Sequence, residues 1–112
     1  MLSDKIMKIA MQIKISITNE DVIKMFLEDT FPKDKKPVWG TKNLTINKKT
    51  TGWSLNNYDT PIVFRNKAGK VFFNTEKYST TTTQIQNKIK AIMKNLKIKY
   101  KEINEEGILK II

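Results

Sequence analysis

The stretch from Gln84 to Glu102 constrains the fold most. Ile85, Ile89, Ile92, Met93 and Leu96 recur at helical spacing and form one apolar stripe. At Leu96 the period changes to two. In LKIKYKEI, Leu96, Ile98 and Tyr100 alternate with Lys97, Lys99 and Lys101. The spacing predicts a helix that ends near Asn95 or Lys97 and hands over to a strand. NEEG then reads as a turn and ILKII as a returning strand, so a C-terminal β-hairpin is expected.

Upstream, PIVFR (61–65) and KVFFN (70–74) flank NKAG, a hairpin turn with Gly69 available for positive φ. NLTIN (43–47) alternates Leu44 and Ile46 against Thr45, and WSLNNY places Trp53 and Leu55 on one face. Nearer the N-terminus, Leu2, Ile6, Ile9 and Ile13 have helical spacing over residues 2–13, and Ile13, Ile15 and Ile17 then alternate like a short extended piece. TNEDVIKMFLEDTFP is a clearer helix. Thr18 caps it with Asp21 three residues on, Val22, Ile23, Phe26 and Leu27 form its apolar face, and Pro32 stops it. KDKKP is a polar connector. No alternating βαβ units are visible in this order. The expectation is an α+β fold in one domain spanning 1–112. It has helices in the N-terminal part (1–32), and then (43–112) a largely antiparallel sheet with a hairpin, one long basic amphipathic helix and the C-terminal β-hairpin.

The charge is lopsided: 21 Lys and Arg against 11 Asp and Glu, a net of +10. Such a chain is drawn to polyanions: nucleic acid, an anionic membrane or an acidic protein face. The plainer reading is compositional, because Lys, Ile and Asn all have A/T-rich codons. The chain contains no cysteine and no histidine. Disulfides, ordinary Cys/His zinc sites and Cys- or His-based catalysis are thereby excluded. The acids are scattered, so no enzyme activity, metal or cofactor is expected. MLSDKIMKIAMQIKI lacks the apolar core of about 7–15 residues that a signal peptide needs. No apolar run reaches the about 18 residues of a membrane span. A cytoplasmic protein with no membrane partner is expected, and Asn43 to Thr45, though a glycosylation sequon, carries no meaning without a secretory route.

Four groups of residues are candidates for a site. Lys90, Lys94 and Lys97 fall opposite the apolar stripe, and Lys99 and Lys101 alternate on the following strand; Lys88 adds to the same basic segment. No Asp or Glu lies between Lys77 and Glu102. A solvated helix ordinarily mixes signs and gains i,i+4 pairs; this one forgoes them, which suits a polyanion-binding surface. Arg65 is the only arginine. Its planar fork suits a phosphate, or a structural clamp on Asp59 or Glu76, or a stack on Tyr58. Tyr58 and Tyr78 flank the hairpin, either as base-stacking faces or as core-edge tyrosines with satisfied hydroxyls. In YSTTTTQ, Thr83 with Gln86 has capping-box spacing, and the hydroxyls of Ser79, Thr81, Thr82 and Thr83 not used in a cap could hold a phosphate at the helix N-terminus or simply line a turn.

The segment NYDTPIVFRNKAGKVFFNTEKYSTTTTQIQNKI resembles a family of small phage and mobile-element proteins of unknown function. The shared positions are Asn57, Tyr58, Thr60, Ile62, Val63 and Arg65, then Gly69 and Asn74, then Tyr78, Ser79, Thr81, Thr82, Asn87 and Ile89. Val63 stands where the family more often has Ala. The resemblance covers about a third of the chain and implies a viral or mobile-element origin without a known activity. Two functions are then expected. The first is a non-enzymatic protein that binds nucleic acid or a nucleoprotein complex through the basic surface. The second is an anti-defence, anti-CRISPR-like inhibitor that occludes a host defence protein, acting in the host cytoplasm. A second copy of the chain is a further candidate partner for the N-terminal helices.

Overall fold

A computed structural model describes residues 17–33 and 38–112 of the chain. The expected helix over 2–13 and most of the connector at 33–37 lie outside these residues. The first described helix, α1 (Asn19–Glu28), starts as its sequence dictates. The Thr18 hydroxyl accepts from the Asp21 N–H at 3.1 Å, and the Asp21 carboxylate accepts from the Thr18 N–H at 3.0 Å. This reciprocal box satisfies two backbone donors that the first turn leaves free. The helix ends before Pro32. Asp29 turns left-handed at φ 60, with Asp29 N–H donating to Phe26 O and Thr30 N–H to Met25 O at 2.9 Å. That bond pair is a Schellman stop, with Asp in the place glycine usually takes.

Six strands form one sheet in chain order: β1 (Val38–Gly40), β2 (Leu44–Lys49), β3 (Gly52–Asn57), β4 (Thr60–Asn66), β5 (Val71–Asn74) and β6 (Lys101–Ile103). The first five make an antiparallel meander. Gly69 supplies φ 89 in the β4–β5 turn, as the NKAG signal predicts. At Gly52 any Cβ would run into the Arg65 carbonyl oxygen, so glycine permits the close approach of β3 to β4. Leu55 pairs with Val63 and Asn56 with Pro61, which leaves Ile62 as the extra residue of a bulge. Ile62 and Val63, adjacent in sequence, consequently both join the main core, and both are fully buried.

The C-terminal hairpin is not formed. β6 pairs parallel with β5, Phe72 opposite Lys101, and α2 (Thr80–Asn95) is the crossover between them. The end of the chain is therefore a βαβ unit, because parallel neighbours cannot be joined by a tight turn. Residues expected to return as a strand form a third helix, α3 (Glu105–Ile111). NEEG is a helix start rather than a turn. The Asn104 side chain accepts from the Gly107 N–H at 2.8 Å, and Glu105 and Glu106 sit at the positive end of the helix. α2 itself ends at Leu96, with Lys97 left-handed at φ 56 and Ile98 N–H donating to Met93 O. Only after this stop does the alternation of Ile98 and Tyr100 resume, both partly buried against the core.

α1 and α2 pack on one face of the sheet. Their Val22, Ile23, Phe26, Ile89 and Met93 close over Leu44, Ile46, Leu55, Val63 and Phe73. α3 lies against β4 and β5. Its Ile108 is buried, as is Phe64, whose side chain alternates to the other face; neither belongs to the main cluster. The result is an α+β fold with three helices among the described residues and a mostly antiparallel sheet between helical layers. No helix among them is long and apolar enough to cross a membrane.

Candidate functional site

The sequence-predicted residues separate into three places. Arg65 belongs to the scaffold. Its Nη2 donates to the Leu27 carbonyl at 2.7 Å, its Nη1 to the Asp29 carboxylate at 3.2 Å, and its guanidinium lies 5.0 Å from the Phe26 ring centroid. The partners are neither Asp59, Glu76 nor Tyr58. A cation here meets the last carbonyls of α1, where the helix dipole is negative. Burial lowers the Arg65 pKa, and Asp29 opposes that shift. The fork holds two separate groups, which a lysine ammonium matches poorly. Arg65→Lys is expected to cost about 1–3 kcal/mol of stability in urea unfolding and to leave retention on nucleic acid unchanged. Were Arg65 a phosphate ligand, retention would fall instead.

The tyrosines also divide. Tyr78 is partly buried, and its hydroxyl accepts from Asn74 Nδ2 at 2.8 Å. Burial pushes its pKa up, and the Asn74 bond works against that. Tyr78 is thus a core-edge tyrosine with a satisfied hydroxyl. Tyr58 is 62% exposed and left-handed at φ 53 in the β3–β4 turn, held there by its N–H on the Asn43 carbonyl.

The threonine run is the first turn of α2, and the cap is Ser79. The Ser79 hydroxyl accepts from the Thr82 N–H at 3.4 Å. The expected Thr83–Gln86 box is absent because Gln86 is buried and turned elsewhere. Its Nε2 donates to the carbonyls of Asn74 and Glu76, at 2.9 and 3.0 Å. Thr82 donates to Asn57 Oδ1 at 3.0 Å, which ties the β3–β4 turn to the helix. Thr80 and Thr81 are exposed. Ser79→Ala should therefore lower stability by about 0.5–1 kcal/mol, the low end for a cap because the bond is long. Thr81→Ala should change it by less than about 0.5 kcal/mol. Thermal unfolding of the two variants checks the order.

The lysines form the third place. Lys88, Lys90, Lys94, Lys97, Lys99 and Lys101 are all exposed. Among the described residues, α1 pairs Lys24 with Glu20, the segment after it pairs Lys33 with Asp29, and α3 pairs Lys110 with Glu106. None of the six is in an ion pair. Gln86, Lys90 and Lys94 stand at i, i+4 and i+8, one row along α2. Gln86 is anchored on the end of β5 and the segment after it, so this row lies on the flank toward β5 and β6. Lys97 leaves the helix at its left-handed stop. Lys99 alternates away from the inward Ile98 and Tyr100, and Lys101 opens β6, the edge strand. Lys101, in register with Phe72, and Lys99 point to the α3 face of this edge, whereas Lys90 and Lys94 lie along α2 over the other face, so the lysines flank the β6 edge from both sides. Lys88, two positions before Lys90 and about 160° round the helix, faces the other flank. Tyr58, tied to the start of α2 beside Thr82, is about 12 Å of helix away from Lys90.

Sequence reasoning missed the buried polar struts. Asn74 is fully buried; its Nδ2 donates to the Pro61 carbonyl at 2.9 Å and to Tyr78, and its Oδ1 accepts from Glu76 N–H. Asn57 donates to the Asn43 carbonyl and accepts from Thr82. Asn57 thereby ties the end of β3 to α2, and Asn74 ties the end of β5 to β4 and to the segment leading into α2. Comparison of the chain with family models, with curated proteins and with solved structures gives no match.

Proposed function

We propose that this is a non-enzymatic phage or mobile-element protein that binds nucleic acid, or a nucleoprotein complex, through Lys90, Lys94, Lys97, Lys99 and Lys101 at the β6 edge. One observation carries the reading. Lys24 on α1 and Lys110 on α3 have acidic partners one turn away, whereas Lys90, Lys94, Lys97, Lys99 and Lys101 stand in a stretch, 78–101, that contains no Asp or Glu. An edge strand is often guarded by lysine against pairing with another chain. That accounts for Lys99 and Lys101 but not for Lys90 and Lys94, which lie on the helix flank. Uncompensated repulsion on both elements is relieved by a shared polyanion.

The test is retention of the full chain on immobilised nucleic acid at about 50 and 200 mM salt. Contacts to four or five phosphates predict an affinity loss of about 150- to 500-fold over that range. The variant Lys90→Glu/Lys94→Glu/Lys97→Glu should lose retention with its circular dichroism unchanged. Absence of retention on every nucleic acid tried would overturn the proposal, and the occluding inhibitor of a host defence complex would then be the function to pursue.

A further inference from the structure

Resting on that reading, we infer that the β6 edge takes the backbone of a double-stranded nucleic acid in preference to a single strand. The first ground is that the aromatic rings nearest these lysines are already engaged. Tyr100, between Lys99 and Lys101, is turned inward and meets the Phe73 ring edge-on at 5.6 Å. Tyr58 is the exposed aromatic, and it stands at the other end of α2. Phe72 is partly exposed and in register with Lys101, but its ring already carries the Lys70 ammonium at 5.4 Å and tilts against Phe64. Single-strand binders draw about 1–3 kcal/mol per base from aromatic stacking, and no aromatic among the described residues of this edge is both exposed and unengaged.

What remains is charge, and charge favours the duplex. A duplex carries one phosphate per about 1.7 Å of axis against about 3.4 Å for one strand, and it releases about 0.9 counterions per neutralised phosphate against about 0.7. The edge is bounded by an acid: Glu102, exposed, follows Lys101 directly. Lysine ammoniums on phosphates hold position without reading bases.

The experiment compares a labelled duplex of about 20 base pairs with its own single strand, by fluorescence anisotropy at several salt concentrations. With five contacts, the difference in counterion release predicts duplex binding about tenfold tighter at 0.1 M salt, and a steeper salt slope. Glu102→Lys should tighten the duplex complex, and Lys99→Gln/Lys101→Gln, a mild change on an edge strand, should loosen it. A single strand bound as tightly as the duplex, with a shallow slope, overturns this inference and leaves the nucleic-acid reading standing. No binding to either overturns both.

Discussion

Asn74→Leu is expected to lower the free energy of unfolding by about 3–4 kcal/mol. Asn74 is fully buried where β5 ends and the chain turns toward α2. Its side chain meets three groups at once: the carbonyl of Pro61, the hydroxyl of Tyr78 and the N–H of Glu76. Leucine has a similar span and no polar atoms. It strands all three partners, and each buried unsatisfied group costs about 1–3 kcal/mol. The cost stays below the sum because Tyr78 and Glu76 are only partly buried and can reach water. Asn74→Asp separates the terms: it keeps the acceptor for Glu76 and loses the donor to Pro61. Urea unfolding followed by the fluorescence of Trp39 and Trp53 reads both variants. A loss under about 1 kcal/mol for Asn74→Leu would show that the junction holds without its strut.

Phe26→Ala is expected to cost about 3–5 kcal/mol, a large part of the about 5–15 kcal/mol that holds a domain of this size together. Phe26 is fully buried on α1. Its ring stacks on Phe31 at 5.9 Å, and Phe31 meets Trp53 edge-on at 5.1 Å. Truncation removes this apolar contact and leaves a cavity that helix and sheet cannot fully close. It also takes away the surface under the Arg65 guanidinium, so the Arg65–Asp29 contact should weaken with it. Phe26→Leu, which keeps most of the volume, should cost less than about 1.5 kcal/mol. If the two variants were equally stable, the aromatic chain from Phe26 to Trp53 would not be a principal prop of the α1–sheet interface.

The elements whose signals are local were legible. Thr18 and Asp21 announce α1 because a capping box needs only residues three apart. Gly69 announces the β4–β5 turn because few residues accept its φ. The stripe from Ile85 to Met93 announces α2 because burial on one face imposes the helical period. Legibility failed where a local signal admits two partners. NEEGILKII contains a turn-like cluster and an apolar run, yet Asn104, two acids and the i, i+3, i+4 spacing of Ile108, Ile111 and Ile112 are helical signals too. The alternation from Leu96 to Tyr100 is genuine over Ile98 and Tyr100, but nothing in it names the neighbour. A strand of period two looks the same whether it pairs antiparallel with the next segment or parallel with β5.

The site divides in the same way. That Lys90, Lys94, Lys97, Lys99 and Lys101 stand without acids is a property of the chain, since charge and its order are written in it. So is the lone arginine. Which of these groups share a surface is not, because contact between residues far apart in sequence depends on how the elements pack. Packing set Arg65 on the end of α1, where a carboxylate and a helix carbonyl occupy both arms of its fork. It gave Ser79 the cap, and turned Gln86 inward onto β5. By placing the α2 crossover beside a parallel β6, it set Lys90 and Lys94 over one face of that edge and Lys99 and Lys101 on the other, and left Lys88, Tyr58 and the threonines elsewhere.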